Sequence, residues 1–192
     1  MSTLPSSSKI PKTIKSIMFS GKKVKRTFIT VKSVYQPQGE NDVVEEDPTY
    51  RSTQSRHPAF ETAMDRFKVH LMVRCGFAEP FDRLGKKKID SQYFADHLFE
   101  DDPRFSDVEI TGIIITTKKE MTGFQILGTH YTEDGQIVKL KSPVISTIKK
   151  AEGEGYNYPL LSLSDEHLDN LMLEANEYLK GKSANNQLKI AM

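Results

Sequence analysis

The sequence predicts an α+β protein: a mainly antiparallel sheet of four to six strands packed with two amphipathic helices. Three observations carry that prediction. Between Val108 and Lys141, three apolar-rich runs are separated by turn signals, one of them Asp134-Gly135. From Pro58 onward, Phe60, Met64, Phe67, Leu71 and Cys75 recur at helical spacing. Near the other end Leu168, Leu171, Met172, Ala175 and Leu179 do the same. The pattern does not separate an open sheet from a small or OB-like barrel.

Met1–Pro11 is Ser-rich and poor in apolar residues, and reads as a disordered tail of residues 1–11. Residues 12–35 read as a basic strand pair, Thr13–Phe19 and Val24–Tyr35, joined by the turn-prone Ser20-Gly21-Lys22-Lys23. In the second strand Ile29, Val31 and Tyr35 share one face, while Arg26, Phe28, Thr30 and Lys32 share the other. Residues 36–57 are polar, carry two prolines and show no sustained period, so they read as a loop or link.

The core spans residues 58–182. Pro58 fits the first position of a helix running to Cys75, with Gly76 beyond its end. A short helix around Ser91–Phe99, capped by Asp90, is predicted in an otherwise irregular stretch rich in aromatic residues. Val108–Thr117, Phe124–Tyr131 and Ile137–Lys141 form a meander, and Val144–Ile148 continues as an edge strand after Pro143. Ile113, Ile114 and Ile115 place apolar groups on both faces, which predicts a central position for the first of these strands. Ser164 is the predicted N-cap of the last helix and Gly181 its stop; residues 183–192 read as a tail.

The residue pattern gives no basis for an enzyme. Five histidines are present, but none recurs at zinc-site spacing, and neither CxxC nor HExxH occurs. Gly85-Lys86-Lys87-Lys88 lacks the rest of a phosphate loop, and Gly153-Glu154-Gly155 lacks the third glycine of a dinucleotide fingerprint. Cys75, the single cysteine, lies on an apolar stripe and suits a reducing compartment without disulfides. Glu100, Asp101, Asp102, Asp107 and Glu109 are not followed by the acid and Glu-x-Lys strand pattern of a nuclease. No cofactor or metal is expected. No run approaches the roughly 18 apolar residues of a membrane span, and the N-terminus has no secretory apolar segment.

Charge distribution is more telling. The chain has 27 basic and 26 acidic residues, but its first 39 carry Lys9, Lys12, Lys15, Lys22, Lys23, Lys25, Arg26 and Lys32 and no acid. A segment of +8 is thus joined to a body of −7, which predicts an anionic partner. Cations beside flat rings (Phe19, Phe28, Tyr35) are the ingredients of sequence-tolerant single-strand binding. The expected nucleic-acid contacts are Lys12, Lys15, Lys22, Lys23, Lys25, Arg26 and Lys32 on phosphates, with Phe28 stacking on a base. A homo-oligomer in which this basic segment lies on a neighbour's acidic body is the alternative, in a structural or assembly protein. Inhibition of a host protein is a further reading.

Residues 110–182 also bear a resemblance. ITGIIIT (Ile110–Thr116), GFQILGT (Gly123–Thr129), KSPVI (Lys141–Ile145) and the closing EYLKGK (Glu177–Lys182) follow a cadence similar to that of small uncharacterised proteins of tailed bacteriophages. The resemblance implies a phage or mobile-element origin and action in a bacterial host cytoplasm. It transfers no activity and no site residue.

Overall fold

The computed structural model describes residues 13–20, 26–35, 44–77, 105–118, 121–147, 158 and 160–182. The expected tails, the Ser91–Phe99 helix and Lys12, Lys22, Lys23 and Lys25 lie outside them. Eight strands form one antiparallel sheet: β1 (Thr13–Ser20), β2 (Arg26–Tyr35), β3 (Val44–Glu46), β4 (Thr49–Ser52), β5 (Val108–Lys118), β6 (Met121–Tyr131), β7 (Ile137–Lys141) and β8 (Ile145–Ser146). Their order is β3-β2-β1-β5-β6-β7, with β4 also on the β2 edge and β8 also on β6. No pairing among the described residues joins the two ends. As far as the described strands go, the sheet is open and does not close into a barrel.

The basic strand pair is therefore part of the sheet. β1 pairs with β5 through Ser16–Ile114, Ile17–Ile113 and Met18–Gly112. Ile14, Ile17, Ile29 and Val31 are buried, so the first strand pair supplies core as well as charge. β5 is central, as its three consecutive isoleucines predict, flanked by β1 and β6.

Two bulges keep the apolar residues on one face. In β1 the register shifts between Ile14 and Ser16, and in β5 between Ile110 and Gly112. Side chains alternate along a strand, so without the extra residue Ile110 and Ile113 would point opposite ways. With it, Val108, Ile110 and Ile113 are all buried. Pro143 has no N–H for a ladder, and Ser142 bridges the interruption. Its Oγ accepts from the Ile126 N–H at 2.9 Å, while its own N–H donates to the Ile126 carbonyl. β8 then pairs Ile145 with Phe124.

The stretch expected to be a loop at residues 36–57 departs from that reading. Residues 44–52 fold into β3 and β4 on the free edge of β2, where backbone pairing orders a segment with no apolar period. Side chains then fasten the residues that lead from β4 into the first helix. Arg56 donates Nε–H to Glu61 at 3.2 Å, and the Tyr178 hydroxyl bonds Ser52 Oγ at 2.8 Å and donates to the Gln54 carbonyl at 3.0 Å. Tyr178→Phe removes only that hydroxyl. We expect a loss of about 1 kcal/mol, with faster amide exchange confined to residues 52–57 in a hydrogen–deuterium experiment.

The single helix expected over Pro58–Cys75 is two: α1 (Pro58–Asp65) and α2 (Phe67–Arg74), with a bend at Arg66. His57 Nδ1 caps α1 by accepting from the Ala59 N–H. Neither Pro nor Gly stands at the bend. The His167 ring hydrogen-bonds the Arg66 main chain there, and a side chain entering the helical ladder is a known cause of kinking. The last helix, α3, spans Leu161–Leu179. It starts three residues before the expected cap; Ser164 is buried inside it and donates to the Leu161 carbonyl. Its inward residues are Leu163, His167, Leu171, Ala175 and Tyr178, while the expected Leu168, Met172 and Leu179 are only partly buried. Gly76 and Gly181, with φ of 80° and 102°, occupy the left-handed positions predicted beyond the helix ends.

α1 and α2 lie on the sheet, and α3 packs chiefly against α1. All three helices are on one side. Phe60, Phe67, Leu71, Ile113, Phe124 and Ile126 fill the space between. Among the described residues no helix covers the opposite face.

Candidate nucleic-acid interface

Residues paired directly across neighbouring strands send their side chains to the same face. One row on the uncovered face can be traced through six strands: Arg51–Phe28–Met18–Gly112–Leu127–Lys141. The next register inward is the core row Tyr50–Ile29–Ile17–Ile113–Ile126. Ile29, Ile17, Ile113 and Ile126 are at most 1 % exposed, whereas Phe28, Met18 and Leu127 are half-buried and Arg51 and Lys141 exposed. The alternation read from Arg26 to Lys32 is thus the alternation of this sheet.

At the β2/β4 edge Arg26, Phe28, Arg51, Ser52 and Thr53 line a shallow pocket of about 450 Å³. The Arg51 guanidinium carbon lies 5.7 Å from the centre of the Phe28 ring, within cation–π range. Neither Arg26 nor Arg51 pairs with a described carboxylate. Guanidinium forks match phosphate oxygens two at a time. The half-exposed ring between them offers an apolar plane of the size of a base.

Other expected contacts are arranged differently. Lys15 bonds Asp47 Oδ2 at 2.6 Å, and Lys32 bonds Glu45 Oε1 at 2.7 Å. Both carboxylates come from the β3–β4 stretch along the β2 edge, whose strand character the sequence does not signal. These ammonium groups are answered within the chain, through exposed pairs that are each worth little. Phe19 is also withdrawn: its ring packs edge-on against Phe60 at 5.2 Å and lies 4.0 Å beneath the Arg56 guanidinium. Of the three rings in the basic segment, Phe28 is the one described on the uncovered face.

Three further cations on that face escape the sequence reading. Arg51 belongs to a stretch whose composition suggests a link. Lys139 and Lys141 sit in β7, exposed and on the open side, because their partners Thr129 and Leu127 are there. A signal exists, since IVKLK alternates lysine with apolar residues, but net charge draws the eye to the N-terminal segment. The face carries two carboxylates among the described strand residues. Glu45 lies on Lys32, and Glu109 accepts from the Tyr131 hydroxyl at 2.9 Å. Arg26, Lys32, Arg51, Lys139 and Lys141 outnumber them.

A second polar cluster lies inside the core. His70 Nδ1 is 2.8 Å from the Tyr158 hydroxyl, and its Nε2 is 3.1 Å from Nδ1 of His167, 97 residues away. Burial holds His70 well below the ordinary histidine range, reinforced by His167. Burial, then the Arg66 charge, lower His167 to about 4, against the hydrogen bond to the Arg66 main chain. Both rings are neutral at pH 7, closed off from solvent and hydrogen-bonded, which suits a structural pair. Cys75 is half-buried; desolvation pushes its thiol up, opposed by the smaller pull of Arg74, so it is not an activated nucleophile. Among the described residues no group of three or more His, Cys, Asp or Glu is placed to hold a metal ion, and no helix is long and apolar enough to cross a membrane.

No family model, curated protein or solved structure matches the chain.

Proposed function

We propose that this protein binds single-stranded nucleic acid on its open sheet face without catalysing a reaction there. Arg26 and Arg51 take phosphates, and Phe28 stacks on a base. The observation that carries the reading is the pocket lined by Arg26, Phe28 and Arg51, in which neither guanidinium pairs with a described carboxylate and Arg51 lies over the ring. A flat face accepts splayed bases, whereas a duplex hides them. Handling of exposed strands in phage replication or recombination fits this chemistry, and that setting comes from the sequence resemblance.

A polarisation titration with labelled oligothymidylate, oligouridylate and a duplex, at rising salt, tests the reading. Single strands are expected to bind more tightly than the duplex, with affinity falling as salt rises. Phe28→Ala is expected to cost about 1–3 kcal/mol, the range of one base–aromatic stack. Arg26→Gln with Arg51→Gln is expected to make the salt dependence shallower by about 0.7 per cation. Absence of binding below about 10 µM at low ionic strength would remove a phosphate-reading face.

A further inference from the structure

The pocket at β4 stands at one end of a row whose other end is also cationic. Resting on the proposed single-strand binding, we infer that the strand does not stop at Phe28 but crosses the sheet to a second phosphate subsite at Lys139 and Lys141 of β7. The route is the row Arg51–Phe28–Met18–Gly112–Leu127–Lys141. It covers five strand spacings, a length of about 24 Å.

The floor of this track is low and apolar. Gly112 contributes no side chain, and Met18 occupies the space instead: a Cβ at position 112 would collide with the Met18 sulfur. Leu127 and Ile114 continue the apolar surface on either side. Bases can lie on such a floor whatever their identity, while phosphates at its two ends meet guanidinium and ammonium groups. Lys139 lies two residues from Lys141 and therefore on the same face, and no described carboxylate pairs with either. Glu109, in the row Glu109–Thr129–Lys139, is the opposing charge on that side, and its carboxylate is held by Tyr131. A track of this length belongs at the short end of the roughly 4–16 nucleotides seen for single-strand sites.

Charge complementarity selects the occupant. An acidic peptide strand would suit a free edge, but these cations line a face, at its two ends and not along one strand. The spacing of charge at both ends with apolar surface between them matches a backbone carrying phosphates and bases.

The test uses the full chain and the salt dependence of oligothymidylate binding, with 12-mers and 2-mers. Four cations predict a slope of log K against log salt of about −2.8 for the 12-mer. Lys139→Gln with Lys141→Gln is expected to make that slope shallower by about 1.4 and weaken the 12-mer about tenfold at low salt. The same variant leaves the 2-mer, held at the Arg51 end, unchanged. Both lysines are exposed, so matching thermal melts establish that the fold is intact. A lysine variant with wild-type slope and 12-mer affinity overturns the crossing track and leaves the Arg26–Phe28–Arg51 reading standing. Wild-type protein that binds no oligonucleotide overturns both. An acidic peptide that binds at these lysines in place of the 12-mer likewise overturns the track.

Discussion

Lowering the pH from 7 to 4.5 is expected to cost this protein about 2.4 kcal/mol of stability through His167 alone, with His70 adding in the same direction. The sign comes from proton binding. In the unfolded chain both rings titrate near 6.5, whereas in the fold His167 is lowered to about 4 and His70 well below its ordinary value. The unfolded state therefore holds more protons at every pH between those limits. The stability is fully present above about 6.5 and falls as the pH drops toward 4, by about 1.4 kcal/mol per pH unit for each ring. Asp134 and Glu177, lowered mainly by their Thr132 and Lys180 hydrogen bonds, add to the loss only in the more acidic carboxylate range. Asp165, raised by burial and by Asp169, acts the other way, gaining native protons as the pH falls. The decline between pH 6.5 and 5 thus belongs to the histidines. Urea unfolding at half-unit intervals reads it directly. A flat profile over that window, or a native His167 resonance titrating near 6.5, would contradict the buried pair.

This cluster shows where sequence reading stops. Each histidine, taken alone, reads as an ordinary core or surface residue. Their meeting depends on how α3 crosses the bend between α1 and α2, and no local pattern encodes that crossing. The same limit applies to Lys15 and Lys32. Their charges are visible in the sequence, yet Asp47 and Glu45 reach them only because a polar segment pairs with the β2 edge. Periodic signals did better. The apolar spacing of Phe60, Met64, Phe67 and Leu71 survives the bend at Arg66, and the Asp134-Gly135 turn and the Arg26–Lys32 alternation survive because each is fixed by the backbone geometry of its own element. Phe28 was legible as outward-facing for that reason, and Arg51 was not, since β4 has no apolar face to betray it. The bulges sit between these cases. Once the strand is known, Ile110 and Ile113 at odd separation demand a bulge, but the run of isoleucines conceals it.

Phe60→Ala is expected to be the most damaging single truncation, at about 3–5 kcal/mol. The ring is fully buried and stands between β1 and α3. It packs edge-on against Phe19 of β1 at 5.2 Å and lies 5.3 Å from Tyr178 of α3. Truncation leaves a cavity bounded by sheet on one side and helices on the other, and two such layers cannot close over it without moving. Stability of a domain of this size is about 5–15 kcal/mol, so much of it would go. Phe60→Leu, which keeps most of the volume, is expected to cost far less. Binding should report the same change. Phe19 carries Arg56 on its other face, and Arg56 Nη1 donates to the Arg26 carbonyl at 3.4 Å. Slack at Phe60 is passed through Phe19 and Arg56 to the backbone of the residue proposed to hold phosphate. At a temperature where the alanine variant is still folded, weaker oligonucleotide binding with an unchanged salt slope is the expected result. Cations would then be intact and only their positions loosened. A variant that unfolds at the wild-type urea midpoint would show that Phe60 does not join sheet and helices in this way.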